Sequence, residues 1–320
     1  MNREHPPRIR VASIRLFALV GAAALATPAQ MVMTADGPGN TYPLIQSKGY
    51  GIEVPDCKHA VPHFTEVFDA ELGENVFAAH AHRDQDDDRC MNFDRQRTEI
   101  RGGGTGLQGA KGSTTVYQWR FRLAPGFQAS SNFTHIMQLK AYGNGHGSGA
   151  PIFIITPRNG VVELSHPRSG GVKRTAGLSQ FSGVWVDAFV KIRHDDNGSC
   201  EVNLRRQRDG VPLLTWSGSN IDMWDDGAGY GALKLGIYRS LNSKSSLRDE
   251  EMRFNRVCVA VGSQVCPASS TPVFFPGPRD HFSAEGFGKW RDVLGREREL
   301  HERELQIPGR RRIAIPYPAK

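Results

Sequence analysis

The 320-residue sequence has few cysteines, and none of them is spaced like a metal ligand. Its five cysteines are Cys57, Cys90, Cys200, Cys258 and Cys266, with no CxxC pair and no His–Cys ligand spacing, which disfavours a zinc site built on cysteine. If the chain is exported, disulfides are expected, and a bond from Cys57 to Cys258 or Cys266 would join the ends of the body. One cysteine must stay unpaired within the chain, and a buried free thiol at Cys90 is the simplest expectation.

No apolar run is long enough to cross a bilayer comfortably. The run at residues 16–26 follows four arginines and precedes small residues, as in a signal peptide. We therefore predict a signal peptide at residues 1–29, cleaved near Ala26 or Ala29, and a secreted or periplasmic protein. A retained membrane anchor is the alternative.

A basic surface of the nucleic-acid-binding type is also missing. The net charge is +7, but residues 1–26 and residues 269–320 each contribute +3, so residues 27–268 are almost neutral at +1. This distribution argues against a nucleic-acid partner. We expect a monomer that does not associate with membranes once the leader is removed.

The body of the chain lacks a sustained helical period and instead contains short runs rich in Val, Ile, Phe, Tyr and Trp, separated by Gly, Pro, Asn and Ser. Eight such runs lie at residues 75–82, 114–123, 133–142, 152–156, 185–194, 199–207, 232–239 and 251–261. They predict an all-β fold, a jelly-roll sandwich of two antiparallel sheets. The sequence DDNG at residues 195–198 predicts a hairpin between two of these runs.

Three further boundaries follow from composition. Residues 30–48 contain several Gly and Pro and are interpreted as a linker, and residues 49–267 form the predicted β domain. Residues 268–320 are rich in Pro, Arg and Glu and have too few apolar residues for a core, so they are predicted to be a solvated, disordered tail.

Polar side chains alternate with apolar ones in three distant segments. These segments are RQRTEIR at residues 95–101, QLK at 138–140 and KLGIYR at 234–239. Because alternate residues of a strand share a face, each segment presents its polar groups on one side. A sheet face with Arg, Glu, Gln, Lys and Tyr is a candidate active surface for an anionic or sugar-like ligand.

In their order along the chain, these motifs resemble those of jelly-roll polysaccharide lyases, with the alginate and glucuronan lyases the most similar. The resemblance covers residues 54–261 and implies a secreted enzyme that cleaves a uronate-containing anionic polysaccharide by β-elimination. It implies four catalytic residues, namely His82, Arg97, Gln138 and Tyr238. It also implies substrate-binding residues, namely His80, Glu99, Arg101, Lys140, Lys234 and Arg239.

These residue types suit the reaction. The proton at C5 of a uronate is hard to remove until the adjacent carboxylate is neutralised, a task for Arg97 and Gln138. A base must take the proton, and an acid must protonate the leaving glycosidic oxygen. Tyr238 is the predicted acid and also a candidate for the base.

The sequence departs from the family pattern at one position. Alginate lyases commonly have Gln-Ile-His where this chain has Gln138, Leu139 and Lys140, so the expected histidine is replaced by lysine. We predict that His82, which shares a strand face with His80, supplies the base. His135 is three residues from Gln138, so in a regular strand it faces the other way and is interpreted as a core or rim histidine unless a bulge intervenes.

Structural roles are open for all of these residues. Arg97, Glu99 and Arg101 could form cross-strand ion pairs on a solvated face, and Tyr238 could be an ordinary strand aromatic. His80 and His82 could be satisfied histidines, and a metal at this pair would need a third ligand.

Other functions and a cofactor are open as well. The rival function is a non-catalytic carbohydrate-binding protein on the same fold, and a glycoside hydrolase would need a second carboxylate facing Glu99. No cofactor is expected for the reaction. The acidic run at residues 84–88 could hold a structural calcium ion, with a solvated turn as the alternative, because it lacks the glycine and distal glutamate of an EF-hand loop.

Overall fold

The computed structural model describes residues 30–168, 170–262 and 265–267, and the backbone of four short strands after residue 289. The chain divides into two units, one ending at Pro272 and the other beginning at Val273. The predicted signal peptide lies outside the described residues. Most of the predicted tail does too, and its described part consists of two antiparallel strand pairs.

An eight-stranded antiparallel sheet forms one layer of the first unit. Its strands run in the spatial order β13-β12-β11-β6-β15-β4-β3, and β1 also pairs with β15. The strands are β1 (Met31–Met33), β3 (Phe64–Asp69), β4 (Glu74–Ala81), β6 (Thr114–Leu123), β11 (Trp185–Arg193), β12 (Gly198–Arg206), β13 (Pro212–Ile221) and β15 (Glu250–Val261).

A seven-stranded antiparallel sheet forms the other layer. Its order is β10-β9-β8-β7-β14-β5-β2. The strands are β2 (Tyr50–Glu53), β5 (Arg95–Gly102), β7 (Thr134–Tyr142), β8 (Phe153–Arg158), β9 (Val161–His166), β10 (Gly171–Gly177) and β14 (Tyr230–Ser240).

The remaining elements are short. They are the helix α1 (Thr41–Ser47), 3₁₀ turns at Leu178–Gln180 and Lys244–Ser246, and the strands of the second unit, β16 (Trp290–Arg291), β17 (Glu297–Arg298), β18 (Leu300–Glu304) and β19 (Ala314–Pro318). Among the described residues, no helix combines the length and apolar character needed to cross a membrane.

The hydrophobic core lies between the two sheets. Ile100 and Leu235 enter it from the seven-stranded sheet, and Phe121 and Phe254 enter it from the eight-stranded sheet. Because side chains alternate along a strand, the neighbours of Ile100 and Leu235 point to the opposite, outer face. The prediction of a jelly-roll sandwich is confirmed, each of the eight predicted runs contains a strand, and the hairpin between β11 and β12 forms.

The segment predicted as a linker is part of the folded unit. It contains β1, which pairs with β15, and α1, which packs against β2 and β3. Met33 and Ile45 are fully buried in the core. Gly37, Pro38 and Gly39 lie between β1 and α1, and the buried side chains of both elements anchor the segment to the core.

The structure has two disulfides, and their pairing differs from the one expected from the sequence. Cys57 is bonded to Cys90, and Cys258 to Cys266. The buried free thiol is therefore Cys200 and not Cys90. Each bond joins residues close in sequence, so neither connects the two ends of the body, a pairing that only the folded geometry could identify.

Candidate active site

A cavity of about 540 Å³ lies on the outer face of the seven-stranded sheet. It is lined by side chains from β5, β7 and β14, the three strands that carry the polar motifs, and by the loop at residues 88–95. Five cationic side chains line it against two carboxylates: Arg89, Arg95, Arg97, Lys140 and Lys234 against Glu53 and Asp88. The lining therefore has an excess of positive charge suited to an anionic ligand.

Arg97 is held by a buried network of carboxylates. Its Nε donates to Asp88 Oδ1 at 2.7 Å, and its Nη1 donates to Glu99 Oε2 at 2.6 Å. Glu99 has no exposed surface, and Arg97 has only 8%. The sequence left open cross-strand ion pairs on a solvated face, whereas the pair of Arg97 with Glu99 lies within β5 and is buried.

Glu99 also forms an ion pair with Lys234 and accepts a hydrogen bond from Gln138. Lys234 Nζ lies 2.9 Å from Glu99 Oε2, and Gln138 Nε2 donates to Glu99 Oε1 at 2.6 Å. Burial raises the pKa of Glu99, but Lys234 and Arg97 together with these hydrogen bonds more than offset it, so the pKa is lowered and the carboxylate stays ionised. Glu99 thus fixes the positions of three side chains of the cavity.

Lys140 is a cation of a different kind. Its Nζ donates to the backbone oxygen of Gly149 at 2.6 Å, and among the described residues no carboxylate lies within ion-pair distance. Burial, with nearby Lys234 and Arg97, lowers its pKa to about 8. The positive charge of its ammonium group is therefore not paired with a carboxylate of the described residues.

Tyr238 stands between two arginines. The guanidinium of Arg97 lies 3.7 Å from the centre of its ring, and Arg95 Nη1 donates to Tyr238 Oη at 3.0 Å. These two contacts hold the ring and its hydroxyl in one orientation. Tyr238 is thus a positioned hydroxyl in the lining of the cavity.

His135 faces this cavity too, contrary to the expectation for a regular strand. Between the pairs Leu235–Met137 and Tyr238–His135, β14 has one more residue than β7. This bulge brings His135 onto the same face as Tyr238, with 5.8 Å between their ring centres. The only hint in the sequence was Gly236, whose φ of +143° few other residues adopt.

The environment of His135 keeps it neutral. Burial lowers its pKa to about 4, and its buried Nδ1 has no hydrogen-bond partner among the described residues. A neutral imidazole that lies beside a tyrosine in a cavity is suited to act as a general base.

His82 and His80 lie elsewhere. Neither lines the cavity, because His80 lies in β4 of the opposite sheet and His82 follows directly after that strand. His82 is within hydrogen-bond distance of Asp86, and His80 of Thr65, with Nε2 2.8 Å from the hydroxyl. The predicted convergence of His82 with Arg97, Gln138 and Tyr238 is therefore wrong, because β4 and β5 belong to different sheets.

Two arginines predicted to bind substrate have other positions. Arg239 is fully buried on the core side of β14 and donates from Nε to Gln96 Oε1 at 2.7 Å, as alternation after Tyr238 requires. Burial lowers its pKa to about 10. Arg101 lies beside the cavity, not in its lining, with Nε 3.4 Å from Glu53 Oε1.

The acidic run at residues 84–88 is not arranged for calcium. Asp86, Asp87 and Asp88 are almost fully buried, so the run is not a solvated turn. Each carboxylate has different partners: Asp86 accepts from histidines, Asp87 accepts from the backbone of Cys90, and Asp88 accepts from Arg97. Because the carboxylates diverge, they do not form an oxygen cage.

Comparison with known proteins identifies the family. A family model described as polysaccharide lyase matches residues 59–253. Family 7 alginate lyase A1-II', in a complex with its product, superposes with a TM-score of 0.51 and 13% identity, covering 71% of this chain and 100% of that chain. The marine PL-14 alginate lyase from Aplysia kurodai superposes with a TM-score of 0.52 and 9% identity, covering 75% and 99%. At these identities the likeness shows a shared fold. No curated sequence matches the chain.

Proposed function

This chain belongs to the polysaccharide lyase family, and we propose that it cleaves a uronate-containing anionic polysaccharide by β-elimination outside the cytoplasm. One observation carries the proposal: neutral His135 lies beside Tyr238, which Arg95 and Arg97 hold in place, in a cavity with an excess of cations. Export is supported by the leader pattern and by the two disulfides. The names of the structural neighbours, both alginate lyases, make alginate the first substrate to test.

Neutralisation of the uronate carboxylate is assigned first to Lys140. Arg97 and Lys234 already pair with carboxylates of the protein, whereas the charge of Lys140 is not paired. Once the substrate carboxylate is neutralised, the anionic charge that develops when C5 loses its proton is stabilised. Lysine thus replaces the family histidine as the residue two positions after Gln138.

His135 is the proposed base and Tyr238 the proposed acid. The C5 proton moves to the imidazole, the electron pair forms the C4–C5 double bond, and the bond from C4 to the glycosidic oxygen breaks. The leaving oxygen takes the phenolic proton of Tyr238, and proton return from His135 to Tyr238 through solvent restores the enzyme. In this scheme Arg97 and Arg95 position Tyr238 and do not bind the substrate carboxylate.

The test is absorbance in the ultraviolet band of unsaturated uronates during incubation with alginate, glucuronan, pectate and glycosaminoglycans. We expect a rise with one of these polymers. His135→Gln and Tyr238→Phe should each lower kcat by about 10²–10⁴-fold, the range for loss of a general acid or base. Tyr230→Phe is the matched control, because Tyr230 lies on the same strand but outside the cavity lining.

Two results would contradict this assignment. A flat trace with every polymer, together with retained glycan binding, would favour the carbohydrate-binding function. An unsaturated product with full activity in His135→Gln would keep the lyase reaction but remove His135 as the base.

A further inference from the structure

A second cluster of reactive side chains lies outside the cavity and is not used by the proposed reaction. It consists of His59, His63, His82 and Asp86, whose ligand atoms all lie within 4.8 Å of one another. We propose that this cluster binds one divalent transition-metal ion with the preferences of Zn²⁺. The proposal does not depend on the substrate of the lyase.

The three imidazoles converge on one carboxylate. His59 Nδ1 lies 2.8 Å and His63 Nε2 2.9 Å from Asp86 Oδ1, and His82 Nδ1 lies 3.1 Å from Asp86 Oδ2. Three nitrogens and one oxygen form a donor set suited to tetrahedral Zn²⁺. With metal–ligand bonds of about 2.0–2.1 Å, neighbouring donors of a tetrahedral ion are about 3.3 Å apart. To complete the site, the three nitrogen–oxygen distances must lengthen by a few tenths of an ångström and the wider pairs, all within 4.8 Å, must draw together.

The outer partners of His63 strengthen the assignment. His63 is fully buried, and its Nδ1 is held by the carboxylate of Asp56 while its Nε2 points into the cluster. Tyr42 Oη donates to the same carboxylate at 2.9 Å. A carboxylate that fixes the far nitrogen of a ligating histidine is the usual support of a metal site, because it selects the tautomer and holds the ring.

Access and donor chemistry agree with this assignment. His59 and His82 are partly exposed, with 23% and 26% of their side chains accessible, so an ion has a path from solvent. Calcium and magnesium prefer oxygen ligands, and this cluster offers mainly nitrogen. The ion expected here is therefore a transition metal and not the calcium considered for the acidic run.

The bound ion would connect two segments of the chain. His59 and His63 precede β3, whereas His82 and Asp86 follow β4, and the Cys57–Cys90 disulfide joins the same two segments. Asp88, two residues after Asp86, pairs with Arg97 in the cavity. The ion is thus placed to hold the loop that carries Asp88 against the body of the protein.

The experiment is calorimetric titration of the chelator-treated protein with Zn²⁺, followed by desalting and measurement of bound metal. We expect one ion per chain. His59→Gln and His82→Gln should weaken binding by about 100-fold or more, and Asp56→Asn by about 10–100-fold, the range for loss of an outer partner. His80→Gln is the matched control, because its ring stacks beside His82 but contacts Thr65.

A second measurement does not depend on the variants. Co²⁺ bound to the wild-type protein should give the intense visible bands of a tetrahedral site. Absence of one saturable Zn²⁺ site, absence of these bands, or equal loss of affinity in His80→Gln and His59→Gln would each overturn the proposal. Circular dichroism of every variant separates loss of ligand from loss of fold.

Discussion

The cationic side chains of the cavity differ in whether a carboxylate of the protein already pairs with them. This difference decides which of them can bind a substrate carboxylate. Arg97 is enclosed by Asp88, Glu99 and the ring of Tyr238, whereas Lys140 contacts only a backbone oxygen among the partners described. An ion that is already paired gains little from a second anion, so the unpaired ammonium attracts a substrate carboxylate more strongly. The lysine that breaks the family motif is for this reason the most informative residue of the site.

The pH dependence of kcat/KM should be bell-shaped. His135 must be neutral to accept a proton, so activity should rise as the pH passes its pKa of about 4. Lys140 must be charged, so activity should fall as the pH passes its pKa of about 8. Initial rates at low substrate concentration from pH 3 to pH 10 measure both limbs.

The variant Lys140→Arg tests whether Lys140 sets the alkaline limb of the pH profile. Because an arginine side chain holds its proton to a higher pH than a lysine does, the alkaline limb should move upward while the acidic limb stays in place. An unchanged alkaline limb would show that another group sets it.

Glu99→Gln should destabilise the protein strongly. The substitution removes one of two carboxylate partners from each buried cation, because Arg97 keeps Asp88 and Lys234 keeps Glu53, so the loss should approach but not exceed the about 3–5 kcal/mol of a broken buried ion pair. Urea denaturation measures the loss. Glu201→Gln on β12 is the control, because Glu201 is exposed and its loss should change stability by less than about 0.5 kcal/mol.

At the level of elements, the bulge between β14 and β7 creates the site. On both sides of it the strands pair in register, with Lys234 opposite Gln138 and Tyr238 opposite His135. Without the extra residue, one of these pairs would face the core. The bulge depends on Gly236, since a Cβ there would lie 2.1 Å from the backbone oxygen of Thr98.

Gly236→Ala should therefore disrupt the site and the fold together. The added methyl group forces β14 away from β5, and we expect a loss of about 3 kcal/mol or more along with lost activity. Gly73→Ala is the control, because Gly73 also has a positive φ but has open space around it, so only the backbone strain of about 1–2 kcal/mol applies. Equal losses in the two variants would contradict the role of the close contact.

At the level of the whole molecule, two sheets and two disulfides define the first unit. Cys57 and Cys90 are 33 residues apart, and Cys258 and Cys266 are 8 apart. The number of residues in the loop that a disulfide closes sets how much the bond restricts the unfolded chain.

Replacing each disulfide by two serines should have unequal effects. Loss of the Cys57–Cys90 bond should cost about 3.7 kcal/mol, and loss of the Cys258–Cys266 bond about 2.5 kcal/mol, by the loop-length relation. Guanidinium unfolding of the two double variants measures both. The reverse order would mean that contacts of the folded loops, and not chain entropy, dominate.

The sequence by itself determined the fold class, the strands with strong apolar alternation and three polar segments of one sheet face. These properties are local, because the two-residue period of a strand assigns each side chain to a face without knowledge of its neighbours. Arg97, Gln138, Lys140, Lys234 and Tyr238 were identified as cavity residues in this way.

Only the tertiary structure decided which histidine faces the cavity and which cysteines pair. His82 is adjacent to the arginine motif in sequence but follows a strand of the other sheet, while His135 reaches Tyr238 through a bulge. The same applies to His59 and His63, which join His82 and Asp86 only where the chain folds back on itself. Such neighbours depend on sheet order and register, which are set by contacts between distant segments, and a local pattern carries no information about them.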